Sequence, residues 1–173
     1  MLQQNRFIDN IISQLAPEPT VSVSNQKYLR FSLAHQEDVL LALEQIFAIF
    51  NISPPEILPI PEMPDCVLGI YNWREKNLWL IDIAHLVDYP PLSSPIPAQL
   101  TTIVIQIEGM LLGLVTSEVK DIESHTAQLQ APYTYLHSPR LLAFTQGYSP
   151  SAECLVLDIN AIARFPLWQV YRS

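Results

Sequence analysis

The chain has 173 residues, 49% hydrophobic and only 15% charged, so a folded protein with a real core is expected rather than a disordered one. A formal charge of −8, with nine scattered Lys and Arg, disfavours nucleic acid and anionic membrane surfaces, because phosphate binding needs clustered cations. MLQQNRFIDNIISQL does not read as a signal peptide, no apolar run reaches bilayer length, and Cys66 and Cys154 lie in apolar strand-like stretches, so a cytoplasmic, disulfide-free protein without direct membrane insertion is expected.

Residues 2–15 place Phe7, Ile8, Ile11, Ile12 and Leu15 on one helical face. Pro17 and Pro19 should end that amphipathic helix near Ala16, and PEPTVSVSNQ reads as an extended linker. The helix either docks on its own domain or grips a partner.

From Lys27 the pattern changes to short strands. YLRFSL alternates Leu29, Phe31 and Leu33 with Tyr28, Arg30 and Ser32, which predicts a half-buried strand. HQED is a polar turn, and VLLAL returns as a strand. NISPPEILPIPEMP holds five prolines in fourteen residues, a density that opposes helix and predicts an extended connection with fixed bends. DCVLGIYNW and NLWLIDI then form a hairpin, with a helical turn at AHLV and a second proline-rich linker, PPLSSPIP.

The second half repeats this plan. TTIVIQI, the turn EGM and LLGLVTSEV echo the first strand pair, LAFTQGY echoes CVLGIYN, and CLVLDINAIA echoes LWLIDIAHLV. The landmarks Leu29 and Ile103, Gly69 and Gly147, and Asp82 and Asp158 are offset by 74, 78 and 76 residues. Near-constant offsets predict a duplicated β unit, and short, evenly spaced strands predict two small barrels side by side. Each would bury too little surface alone, so a shared core is expected. The expected division is residues 1–26 as helix and linker, 27–97 as the first barrel, and 98–173 as the second barrel with a C-terminal helical turn and tail.

The four histidines, His35, His85, His125 and His137, lack metal-ligand spacing, and the four glycines are isolated, so neither a metal site nor a phosphate loop is expected. Asp82 and His85 could face one way on a helical turn, but the same aspartate at Asp158 has no following histidine. A capping role for both aspartates is the favoured reading. Surface recognition remains. Arg74 and Lys76 are the only basic residues between Arg30 and Lys120, and they lie at a hairpin tip with Asn72 and Glu75, beside Trp73. Tyr71, Trp73 and Arg74 are residue types enriched where proteins bind proteins, whereas Trp79 reads as core.

The stretch LPIPEMPDCVLGIYNWREKNLWLIDI resembles the central signature of CheW-like coupling domains. Pro61, Pro64, Gly69, Asn72, Arg74 and Asp82 match its order: a proline-rich approach, a glycine, then N-x-R-G and a strand ending in aspartate. The likeness runs from about Tyr28 to Ala163. It implies an all-β fold of two SH3-like five-stranded barrels around a shared core, without enzymatic activity or cofactor. It also implies an adaptor between chemoreceptor (methyl-accepting protein) cytoplasmic tips and the regulatory domain of a CheA-type histidine kinase. Asn72 and Arg74 carry over as contact residues, with Tyr71, Trp73 and Glu75 around them. The N-W-R tripeptide and the following LWLID most resemble variants from phototaxis and type IV pilus-linked taxis systems.

One departure stands out: the family's glycine after the arginine is Glu75 here. Asn77 tolerates left-handed backbone better than Glu75, so the bend is expected to move toward Asn77. An altered tip implies a weaker fit to the usual partner surface or a different partner. A regulator of motility machinery that no longer binds a kinase is one alternative. A small-molecule or catalytic domain is another, and it would require a deep polar pocket gathering Asp82, His85 and His137.

Overall fold

Two five-stranded sheets make up the computed structural model, which describes residues 24–34, 37–92 and 96–165. The helix expected at residues 2–15 and the tail after residue 165 lie outside the described residues. The strands are β1 (Asn25–Ala34), β2 (Glu37–Ala42), β3 (Ile46–Ile52), β4 (Val67–Trp73), β5 (Lys76–Asp82), β6 (Leu100–Ile107), β7 (Met110–Thr116), β8 (Val119–Thr126), β9 (Thr145–Ser149) and β10 (Cys154–Leu157). Three short helices follow β5 (α1, Ile83–Leu86), precede β9 (α2, Pro139–Ala143) and follow β10 (α3, Ile159–Ala163). Among the described residues no helix is long and apolar enough to cross a membrane. The mostly β architecture of two SH3-like units agrees with the expectation.

The sheets run β8-β1-β2-β10-β9 and β3-β6-β7-β5-β4. When β1 to β5 are matched in order with β6 to β10, the two orders become identical, so the repeat in the sequence is a repeat in space. The division at residue 97 does not coincide with the sheets, however. Each repeat gives its first hairpin to the other repeat's sheet. Hairpin β1–β2 sits between β8 and β10, and hairpin β6–β7 sits between β3 and β5. A linear reading of two consecutive barrels misses this exchange because strand pairing is long-range.

The exchange explains why the strands are so apolar. Leu29, Phe31, Val39, Leu41, Ile81, Ile103, Ile105, Leu112, Leu114, Leu155 and Leu157, drawn from both sheets, pack into one shared core. The alternate residues point the other way, into each sheet's own smaller core. Ile52, Trp73, Leu78, Leu80, Val104 and Val115 fill one; Tyr28, Leu40, Ala42, Cys154 and Val156 fill the other. A strand buried on both faces must be apolar at nearly every position. Thus β1 is covered more fully than a half-buried strand, with Tyr28 and Ser32 buried as well as Leu29 and Phe31.

Strand β3, IFAIFNI, was not expected from the sequence. The proline-rich segment after it contains one 3-10 turn, Pro54–Glu56, despite its prolines. Prolines at the first positions of a helical turn sacrifice no needed N–H, so the expectation of a purely extended path is corrected there. That path ends in an isolated bridge, Leu58 to Ile70, against β4, and Gln130 bridges Tyr148 against β9 in the same way. Here the two repeated glycines find their purpose. Gly69 has φ +139, and an added Cβ would lie 2.3 Å from the carbonyl oxygen of Leu58; Gly147 has φ +158, with Gln130 oxygen at 2.9 Å. Only glycine lets the crossing chain approach so closely.

The seam between β1 and β8 carries a half-buried ionic contact. Arg30 donates through Nε to Glu123 at 2.6 Å and through a second nitrogen at 3.0 Å, while also reaching the carbonyl of Ala152 at 2.9 Å. His125 Nε2 lies 2.6 Å from Oε2 of the same carboxylate, the oxygen that also accepts from the second Arg30 nitrogen. These contacts, Arg30 first, pull the Glu123 carboxyl down from 4.5 to about 2.

Two outcomes follow from this architecture. Gly69→Ala should destabilise the fold by about 2–4 kcal/mol in urea unfolding, because both the backbone conformation and the Leu58 carbonyl oppose a side chain. Gly109→Ala, with nothing within 4 Å of its Cβ position, should cost distinctly less. Because the folded value of Glu123 is depressed, its contribution is present above the ordinary carboxylate value and is lost as pH falls from about 4.5 toward about 2. Glu123→Gln should therefore remove on the order of 2 kcal/mol at pH 7 and flatten the stability profile across that window relative to the parent.

Candidate functional site

Hairpin β4–β5 closes through two residues, since Trp73 pairs with Lys76 and leaves Arg74 and Glu75 as the loop. Their φ values are +49 and +64, the conformation a primed two-residue turn requires. Hairpin β6–β7 closes in the same way through Glu108 and Gly109, at φ +49 and +79. The bend has therefore not moved to Asn77, which stays in the ladder opposite Asn72. Six paired positions behind the turn fix the register, and a shift by one residue would turn every core side chain outward. Register wins over the preference of Glu75, at a cost of about 1 kcal/mol in backbone strain.

Trp73 is the structural base of this tip. It is only 9% exposed and belongs to the core enclosed by the second sheet. The Phe50 ring stacks on it at 5.9 Å and 9°, the Phe47 ring meets it edge-on at 5.6 Å, and Tyr71 packs against Phe50 at 5.8 Å. The Arg74 guanidinium carbon lies 4.7 Å from the Trp73 ring centre. A cation over an indole face is held with its donors pointing outward, because the ring offers attraction but no hydrogen-bond acceptor. Arg74, Asn72, Glu75 and Lys76 are exposed, and among the described residues no carboxylate forms an ion pair with Arg74. Tyr71 is half-buried, as is Trp79, which packs against the shared core.

The fold thus brings Asn72 at the end of β4 and Arg74 and Glu75 on the turn together at one exposed hairpin tip, and places Trp73 beneath them as a support. Phe47 and Phe50, which complete that support, lie on β3. Their signal was the phenylalanine pair in an apolar run, but nothing local says that it pairs near a hairpin more than twenty positions later.

Asp82, His85 and His137 do not assemble. Asp82 is buried with both oxygens engaged: one accepts from the backbone N–H of His85 at 3.2 Å, the other from that of Leu92 at 2.9 Å. Asp158 caps α3 in the same manner, accepting from Ala161. His137 instead faces Glu37 at 3.0 Å. His85 lines a shallow cleft of about 340 Å³ with Asp65, Cys66, Asp88 and Arg140. Burial raises the Cys66 thiol, and that of Cys154 to about 12, which makes both inert rather than nucleophilic at neutral pH. Among the described residues no group of three His, Cys, Asp or Glu could hold a metal ion.

A family model for the CheW-like domain matches residues 27–165. Among solved structures, the fold is similar to the crystal structure of the scaffolding protein TtCheW from Thermoanaerobacter tengcongensis. The TM-score is 0.64 at 22% identity, covering 78% of this chain and 88% of that one. No curated protein matches the sequence.

Glu75→Gly should stabilise the protein by about 1 kcal/mol in denaturant unfolding, because glycine relieves the strain of φ +64 without touching the core. An unchanged or lower midpoint would mean that the turn is not strained at this position.

Proposed function

The chain belongs to the CheW-like domain family, and from that premise we propose a non-catalytic signalling adaptor joining a chemoreceptor's cytoplasmic tip to the regulatory domain of a CheA-type histidine kinase. It would act in the cytoplasm, in chemotaxis, phototaxis or type IV pilus-linked taxis, at receptor arrays on the membrane. The observation that carries this reading is the exposed Arg74 guanidinium, stacked on the Trp73 ring at 4.7 Å. A preordered arginine loses little side-chain freedom when a partner carboxylate or carbonyl reaches it, which is the character of an interface anchor. Asn72 adds an amide and Glu75 a carboxylate near it, so a partner must match both the Arg74 cation and the Glu75 anion. The adaptor's effect is positional: it holds kinase and receptor together so that receptor conformation biases kinase activity.

A second reading is a motility regulator that keeps the fold without the kinase. Glu75 favours it, since a carboxylate stands where a partner shaped for glycine would pack closely.

Arg74→Glu should weaken capture of the cognate kinase regulatory domain or receptor tip at least tenfold, about 1.4 kcal/mol, with an unchanged melting temperature. Unchanged affinity for both would overturn the assignment of this turn. Failure of the unmutated protein to bind the kinase, with receptor or motility partners still captured, would support the second reading.

A further inference from the structure

The two outer strands β3 and β8 occupy equivalent places in their sheets, each beside an exchanged hairpin. They are protected very differently. Strand β8, VKDIESHT, carries Lys120, Asp121, Glu123 and His125, and charges of this kind keep a sheet edge from pairing with other chains. Strand β3, IFAIFNI, carries no charge and leaves Phe47 56% and Ile49 41% exposed. An uncharged, apolar edge is a liability unless something covers it.

The chain preceding β1 is placed to do so. Ser24, where the described residues begin, lines one depression with Asn25, Gln26, Leu43 and Glu44. Glu44 in turn lines the next depression with Ile46 and Phe47. Gln26 donates to Glu44 at 3.2 Å, which ties the start of β1 to the approach to β3. Residues 16–23, drawn out, reach about 26 Å, more than enough to bring residues 2–15 over a seven-residue strand. Those residues carry an apolar stripe at Phe7, Ile8, Ile11, Ile12 and Leu15. The family match begins only at residue 27, so the stripe is an addition to the domain rather than part of its core.

We propose that residues 2–15 dock back on their own chain, with the Phe7–Leu15 stripe covering Phe47 and Ile49 on β3. The arm would shield the uncharged edge from pairing with other chains, and it would lie beside the Trp73 ring that Phe47 touches. The alternative cover, a second copy, would leave the stripe itself without a partner.

Disulfide trapping in the full chain tests this. Cys66 and Cys154 are buried at 6% and 5% exposure, so new surface cysteines react selectively. Ile11→Cys with Ile49→Cys should oxidise to an intramolecular disulfide at least tenfold faster than Ile11→Cys with Ile122→Cys or with Leu136→Cys. Ile122 lies on β8 opposite Leu29, similarly close to the start of β1, and Leu136 lies in another exposed apolar cluster. Adding Phe7→Asp should slow the Ile49 reaction several-fold while leaving the melting temperature of the β-sheet core unchanged. Equal rates at the three sites, a faster reaction at Leu136, or disulfide-linked dimers in place of linked monomer would each overturn the proposal.

Discussion

Each central strand of this protein has to satisfy two cores at once. Leu29 and Phe31 of β1 face the shared core while Tyr28 faces the core of its own sheet, and β6, β7 and β10 divide their side chains in the same way. Neither sheet can form until it receives the other repeat's hairpin, because β8 and β10 have no direct pairing and meet only through β1 and β2. The two repeats are therefore one cooperative unit. Burial of each large aliphatic side chain contributes about 1.5–3 kcal/mol, and here most of that gain depends on the exchange.

The same constraint sets where charge can go. With both faces of the central strands enclosed, cations and carboxylates are confined to turns, to edge strands, or to contacts that satisfy them fully. Arg30 takes the last course: its guanidinium is half-buried but bidentate to Glu123, a geometry that offsets much of its desolvation cost. Arg74 takes the first. It stands on a two-residue loop whose left-handed backbone glutamate tolerates only because the ladders behind it cannot slip. The aromatic stack of Trp73 and Phe50 turns a mobile surface side chain into an ordered one, and this links the fold's energetics to a recognition surface.

Much of this could be read along the chain. The hairpin at Arg74 and Glu75, the capping role of Asp82 and Asp158, and the repeat itself rest on local spacing, and each has a structural counterpart. The close-approach glycines were visible as a pair, but their reason was not, because Leu58 and Gln130 are distant partners. Strand β3 is not legible along the chain for a physical reason: a short apolar run without turn signals is ambiguous between helix and strand. Local preference places the bend at Asn77, whereas the core facing Leu78 and Leu80 holds the register and leaves the bend at Arg74 and Glu75.

By itself the sequence determined the all-β class, the duplication, the exposed cationic turn and the family resemblance, since these depend on residues near one another in the chain. Only the tertiary structure decided that the repeats exchange hairpins, that Trp73 supports rather than presents, and that the uncharged β3 lies at a sheet edge. Those outcomes come from pairings between strands tens of residues apart. Their free energy lies in which surfaces meet, and no local pattern records that.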